Sequence, residues 1–234
     1  MSTDLRLHHE LLLLALHDDK GTLVFGQMVE LGLAGAVLAE LLLEERVVLK
    51  PEGRKGRPLV TVVSRATLGD EVLDAGLRRL TDAKRRADPA RTVSRLSGIP
   101  QLRNRTALAL CRRGVLREEE DRVLVLFKRR VYPTVDPGPE QALVQRVRRA
   151  VDEPDADVGP RTALLVALAR ATHALRAIWT AKELRARKAR LEALSTLSGP
   201  GGAAAREAVQ AAEAAMMVVM ASTVAATAAA TGGS

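Results

Sequence analysis

Apolar and polar positions along this chain fall into one arrangement that is used twice. Val37–Val48 reads V-L-A-E-L-L-L-E-E-R-V-V, and Thr106–Leu116 reads T-A-L-A-L-C-R-R-G-V-L. Each is an apolar-periodic helix with a charged last turn, running straight into a short apolar strand. A charged turn follows each time (Pro51–Arg57; Arg117–Arg122), then a second apolar strand (Leu59–Val63; Val123–Phe127). A helix feeding a hairpin, used twice, predicts a mainly α, compact single domain. Its expected form is a central helical bundle with surrounding amphipathic helices and small β-hairpin wings.

The rest of the pattern is helical. Leu5–Leu16 is apolar on most of one face and stops at the reversal Asp18-Asp19-Lys20-Gly21. Gln27–Glu45 is a second helix, in which Gly32 and Gly35 suit the close approach of another helix. Asp70–Lys84 turns Leu73, Leu77 and Leu80 inward and Arg78, Arg79 and Lys84 outward. Asp88–Gly98 is a short helix broken by Ile99-Pro100. Past Tyr132-Pro133 and Asp136-Pro137-Gly138-Pro139 comes Glu140–Val151, then the acidic loop Asp152–Pro160. Arg161–Ala177 is apolar nearly all round and reads as the central buried helix. Thr180–Leu197 is charged and amphipathic, Ser198–Gly202 is a flexible break, and Ala203–Ala230 is a low-complexity Ala-rich helix. The expected division is one domain over 1–200 and an Ala-rich C-terminal helix with a flexible tail over 201–234.

Composition narrows the class. Hydrophobic residues at 47% and charged residues at 27% fit a folded globule rather than a disordered chain. Aromatics are only 2%, so Leu, Val and Ala must fill the core, which suits packed helices. The single Cys111 allows no intramolecular disulfide and fits a reducing compartment, so a cytoplasmic location is expected. Leu11–Leu14 is too short for a signal segment and is surrounded by carboxylates. Ala214–Ala230 is uncharged but made of Ala, Met and Thr, and reads as a packed helix rather than a membrane anchor. A net charge of +8 draws the chain toward nucleic acid, an anionic lipid surface or an acidic partner. An Arg-rich, Lys-poor composition is also what a GC-rich genome produces without a ligand.

Catalytic patterns are missing. No G-x-S-x-G, H-E-x-x-H, C-x-x-C, dinucleotide fingerprint or P-loop occurs, and Gly53-Arg54-Lys55-Gly56 reads as a plain hairpin turn. His8, His9 and His17 lie near Glu10, Asp18 and Asp19, yet read as exposed helix histidines rather than metal ligands. Cys111 reads as core. The expectation is a non-enzyme without cofactor or metal.

The cations cluster. Arg103 and Arg105 stand just before the second repeated helix, and Lys128-Arg129-Arg130 follows directly on Val123–Phe127. Arg146, Arg148, Arg149, Arg185, Arg187, Lys188 and Arg190 read as solvated helix faces. Val123, Leu124, Val125, Leu126 and Phe127, followed by Lys128, Arg129, Arg130 and Tyr132, have the form of an interfacial anchor. Apolar side chains enter the headgroup boundary while cations meet anionic lipid. The same strand also reads as a buried edge of the domain.

At these residues the chain resembles the Golgi phosphoprotein 3 family, in its bacterial branch. The matching stretches are Leu11–Leu16 with Asp18–Gly21, Gly32–Gly35 with Leu38–Leu41, Leu102–Arg105 leading to Arg113–Leu116, the wing ending Leu126-Phe127, and the apolar helix Leu164–Leu175. The resemblance implies a mostly helical domain and a non-catalytic peripheral membrane protein. It also implies an apolar hairpin for membrane contact or self-association, and a basic pocket for the headgroup of phosphatidylinositol 4-phosphate. In eukaryotic members that pocket uses a Trp, an Arg in the second helix and two basic residues three apart. Here those positions are Phe25 or Gly26, Ala34, Pro100 and Arg103, so only Arg103 matches.

The expected function is therefore non-catalytic binding of anionic phospholipid at the cytoplasmic membrane face. Arg103 and Arg105 would take the headgroup, and the Val123–Tyr132 wing would contact the membrane or a second copy. The alternative is a winged-helix-like nucleic-acid binder or an adaptor. Against nucleic acid, Val37–Glu45 and Thr106–Arg113 carry Leu and Ala where base-reading polar residues belong.

Overall fold

A computed structural model describes residues 5–16, 26–123 and 127–196. Helix α1 (Leu7–Ala15) lies at the centre, against α2 (Gly26–Leu43), α5 (Leu102–Arg112), α6 (Gly138–Asp152) and α7 (Pro160–Ala171). All nine of its residues are buried, His8, His9 and Glu10 included. The sequence reading gave it one apolar face; a helix enclosed by neighbours on every side has none to spare for solvent. α7 is buried nearly all round, as its composition predicts. It ends at Ala171, however, because His173 takes the left-handed conformation at φ 61°, and a short 3-10 turn at Ala174–Ala177 follows. The helix expected over Thr180–Leu197 is likewise divided, into α8 (Ala181–Ala186) and α9 (Lys188–Thr196).

Glu40 of α2 clamps the centre. Fully buried, it accepts the Leu7 backbone N–H at 2.7 Å and is held by both terminal nitrogens of Arg161. Gly32 allows α2 and the end of α7 to close: a Cβ there would overlap the Thr172 methyl and stand 3.1 Å from Leu11 Cδ2.

The outer helices begin where short polar side chains can cap them. Asp70 accepts the Val72 and Leu73 N–H groups at 3.0 Å each to start α3 (Glu71–Thr81). Asp88 accepts the Arg91 N–H at 2.9 Å, with Pro89 next in line, to start α4 (Pro89–Ser97). Leu73, Leu77 and Leu80 point inward as their spacing requires.

The repeated phrase has a common physical cause. After α2, Glu45 turns left-handed at φ 51° and the Arg46 N–H reaches back to the Leu41 carbonyl at 2.9 Å. After α5, Gly114 does the same at φ 74° and the Val115 N–H reaches the Leu110 carbonyl at 3.1 Å. Both are helix ends closed by a reversed residue, which redirects the chain into a hairpin. The first hairpin pairs β1 (Val47–Lys50) with β2 (Leu59–Val62), Val47 opposite Val62 and Lys50 opposite Leu59. It is close to the expected layout.

The second hairpin differs from it. β3 is Glu119–Val123 and β4 is Phe127–Val131, with Glu119 opposite Val131 and Val123 opposite Phe127. The expected charged turn, Arg117–Arg122, therefore supplies most of a strand, while of the expected apolar strand, Val123 is the last residue of β3 and Phe127 the first of β4. Leu124–Leu126 lie outside the described residues.

Candidate functional site

The second hairpin is fastened at its base. Leu116 bridges Thr134, the Arg117 N–H donates to the Pro133 carbonyl at 3.0 Å, and the Val135 N–H donates to Val115 at 2.9 Å. Val115, Leu116, Val131 and Tyr132 are buried there. Tyr132 is thus a core residue at 3% exposure and not an interfacial anchor, which corrects its expected role. Its ring sits where the hairpin enters the domain. Beyond the base, the register sets Glu120 opposite Arg130, Asp121 opposite Arg129 and Arg122 opposite Lys128. Arg130 also pairs with Glu118 at 3.3 Å. The apolar run, at Val123 and Phe127, falls at the end remote from the base.

Arg103 and Arg105 stand in the first turn of α5, whose cap residue Gln101 is left-handed at φ 53° and gives no side-chain cap. They are two positions apart, about 200° around the helix, so they leave it from opposite sides. Arg105 is committed to Glu71 at 2.8 Å, and Glu71 also receives Arg112 at 3.3 Å. Arg103 is half-buried and has no ion pair among the described residues. Ala34, at the position of the family Arg, is fully buried inside α2, so a guanidinium could not be seated there without moving the core. Phe25 lies outside the described residues, and Gly26 is the first residue of α2.

Four of the late arginines depart from the expected solvated helix faces. Arg146 pairs with buried Glu10 at 2.6 Å, and Arg187 with Asp152 at 2.6 Å. Arg148 donates to the Ile178 carbonyl at 3.0 Å, and Arg190 to the Ala150 carbonyl at 3.0 Å. Arg148 and Arg187 also lie over the buried Trp179 ring, 5.5 and 5.1 Å from its centroid. Arg146 thus ties α6 to α1, and Arg148, Arg187 and Arg190 tie α6 to the segments after α7, while Arg149, Arg185 and Lys188 are exposed as expected.

His8 and His9 are enclosed as well. Their partner is Asp70, far away in sequence: His8 Nε2 lies 3.4 Å from Asp70 Oδ1, and His9 Nε2 lies 3.6 Å from Oδ2. Burial, with His8 beside it, pushes the His9 pKa down to about 2 and keeps the ring neutral. Burial alone would raise Asp70, but the His8 contact and the Leu73 N–H hold it below the usual carboxylate range. Burial raises Glu10, against the pull of Arg146.

One nitrogen from each ring and one Asp70 oxygen all fall within 4.8 Å of one another, a spacing that a metal ion could use. The hydrogen bonds do not suit one. His9 Nδ1 accepts the Arg6 backbone N–H at 3.3 Å, so the neutral ring keeps its proton on Nε2, facing Asp70. A cation on Nε2 would need that proton moved onto Nδ1, against the Arg6 N–H. Asp70 Oδ1 is already engaged by α3, and positive charge from Arg113 and Arg6 adds to the opposition. His17, Asp18 and Asp19 lie outside the described residues.

These features define a mainly helical domain with two hairpins, one packed among its helices and one extending from a buried base. The sequence model of the Golgi phosphoprotein 3 (GPP34) family matches residues 7–214, and the chain belongs to that family. Among the described residues, no helix is long and apolar enough to cross a membrane.

Proposed function

We propose that the protein binds anionic phospholipid at the cytoplasmic face of a membrane, without catalysis, through the second hairpin and Arg103. The observation behind this reading is the β3–β4 register, which sets Val123 opposite Phe127, the two ends of an apolar stretch of the sequence, at the hairpin end remote from its buried base. Lys128, Arg129 and Arg130 follow along β4. Shallow apolar insertion beside cations, each worth about 1 kcal/mol near an anionic surface, makes a reversible contact. Arg105 contributes less, because Glu71 already shares its charge. The same apolar end could join two copies of the chain, so self-association is the second use of this surface.

Flotation with phosphatidylcholine vesicles, with and without phosphatidylglycerol, tests the proposal. Binding is expected only with the anionic lipid. It should fall steeply with salt, since exposed charges are screened over about 8 Å at physiological ionic strength. Salt-insensitive flotation, or none, removes the reading, and a duplex-DNA shift in its place would favour the winged-helix alternative. Phosphatidylinositol 4-phosphate should gain little over an equal charge of phosphatidylglycerol, because Ala34 and Pro100 stand where the family places basic residues. Strong preference for the 4-phosphate, abolished by Arg103→Ala, would overturn that selectivity.

A further inference from the structure

The positive charge of this chain is concentrated in one stretch. Between Arg78 and Arg95, seven cations stand against two carboxylates, a net of five of the eight positive charges in the whole sequence. The fold gathers five of the seven around a concavity. A cavity of ≈ 240 Å³ opens between β2, the end of α3 and α4, with Arg65, Arg86 and Arg95 on its walls beside the Thr61 and Thr81 side chains. A wider groove of ≈ 590 Å³ shares Ala83 and Arg95 with it and adds Arg79, Lys84 and Arg85.

The bonds in this region orient the cations more than they neutralise them. Arg79 Nε donates to the Arg95 carbonyl at 2.7 Å, and Arg95 donates to the Arg85 carbonyl at 3.2 Å. Of the cations lining the cavity and groove, Arg86 alone meets a carboxylate among the described residues, Glu52, and it also reaches Thr61 Oγ1 at 3.3 Å. Asp88 is engaged in capping α4 and lies 3.7 Å from Arg91. Asp82, at the end of α3, is the other carboxylate of the stretch. Arg65, Lys84 and Arg85 have no ion pair among the described residues. Like charges converging on a concavity with so few counter-charges repel one another until an anion enters.

We propose that this cavity and its groove form a phosphate-binding site. Arginine forks match phosphate oxygens in pairs, a lysine adds a point charge, and the threonine hydroxyls can complete the oxygen contacts. The space exceeds what a phosphate group needs, given that a water takes about 30 Å³ in the liquid. The site is formed at the C-terminal end of α3, whereas Glu71, Arg105 and Arg112 meet at its N-terminal end, about 16 Å away. No residue lining the cavity or groove belongs to the second hairpin, and Arg103 is not among them. A lipid headgroup and a soluble phosphate ester both offer the required chemistry.

Calorimetric titration of the full chain with inorganic pyrophosphate tests the site. Saturable binding is expected, weakened at least about tenfold in Lys84→Ala with Arg85→Ala in the groove, and weakened in the same direction by Arg65→Gln in the cavity. Arg91→Ala removes an equally exposed cation that the cavity and groove do not use, and should change little. No saturable binding by the unaltered chain, no effect of the double substitution, or an equal loss in Arg91→Ala overturns the proposal. Flotation of the same variants on phosphatidylglycerol vesicles separates the sources. A parallel loss identifies a headgroup, and vesicle binding left intact beside weakened pyrophosphate binding identifies a soluble phosphate ester.

Discussion

The two hairpins leave their helices through the same reversed turn and then place their apolar residues in opposite ways. In the first, the strands themselves are apolar: Val47 is fully buried, Val60 is nearly so, and the Val60 N–H is tied to the Ala87 carbonyl at 2.8 Å. Its loop, Pro51–Arg57, is polar and largely exposed. In the second, the paired strands are mostly charged, and the apolar residues sit at the base and at the opposite end. One hairpin uses its apolar residues to complete the core. The other divides them between a buried base and the opposite end of its strands.

Substitutions can break this contrast. The largest effect is expected at Val47: Val47→Asp puts an unpaired carboxylate into the core and should cost about 4 kcal/mol in chemical denaturation. Tyr132→Ala, at the base of the second hairpin, should cost about 3 kcal/mol, because a buried ring is lost.

A pH effect comes next, at the exit from the first hairpin, where Asp70 follows β2. His9 stays neutral in the fold, so the unfolded chain takes up the extra proton once pH drops below about 6.5. Stability should therefore fall as pH falls through that value, by about 2 kcal/mol between about pH 7 and pH 5, and His9→Gln should remove this slope. Asp70 acts in the same sense, but only as pH falls below its ordinary value of 3.8. Glu10 has the opposite sign, and it cancels when the two chains are compared at each pH.

The smallest stability change is expected at the far end of the second hairpin. Leu126→Asp with Phe127→Asp should shift stability by no more than about 0.5 kcal/mol and leave helical circular dichroism intact, yet abolish vesicle flotation. Unfolding of that variant would show that this end is core.

The sequence made some parts of the fold legible because the signals were local. Asp70 and Asp88 mark helix starts within a residue, and the Leu73–Leu77–Leu80 spacing identifies the buried side of α3. Other parts depend on partners that no local pattern reveals. Nothing near His8 and His9 announces Asp70, and nothing near Arg146 announces Glu10. The second hairpin was misread for a related reason. Apolar runs suggest strands, but cross-strand charge pairs such as Glu120 with Arg130 can support a strand equally well. The concentration of charge between Arg78 and Arg95 is local in the sequence, and the whole-chain net of +8 hides it.

The enclosure of α1 also bears on how the chain is made. Glu10 waits for Arg146, a separation of 136 residues, and Glu40, which holds the start of α1, waits for Arg161, a separation of 121. At about 5–20 residues per second, the first helix emerges from the ribosome several seconds or more before those arginines exist. Throughout that interval its enclosure is incomplete: α2, Asp70 and α5 come first, while α6 and α7 are still to be made. Folding of this domain is therefore a late, chain-wide event, and the nascent segment around α1 is where a chaperone would find the most to hold.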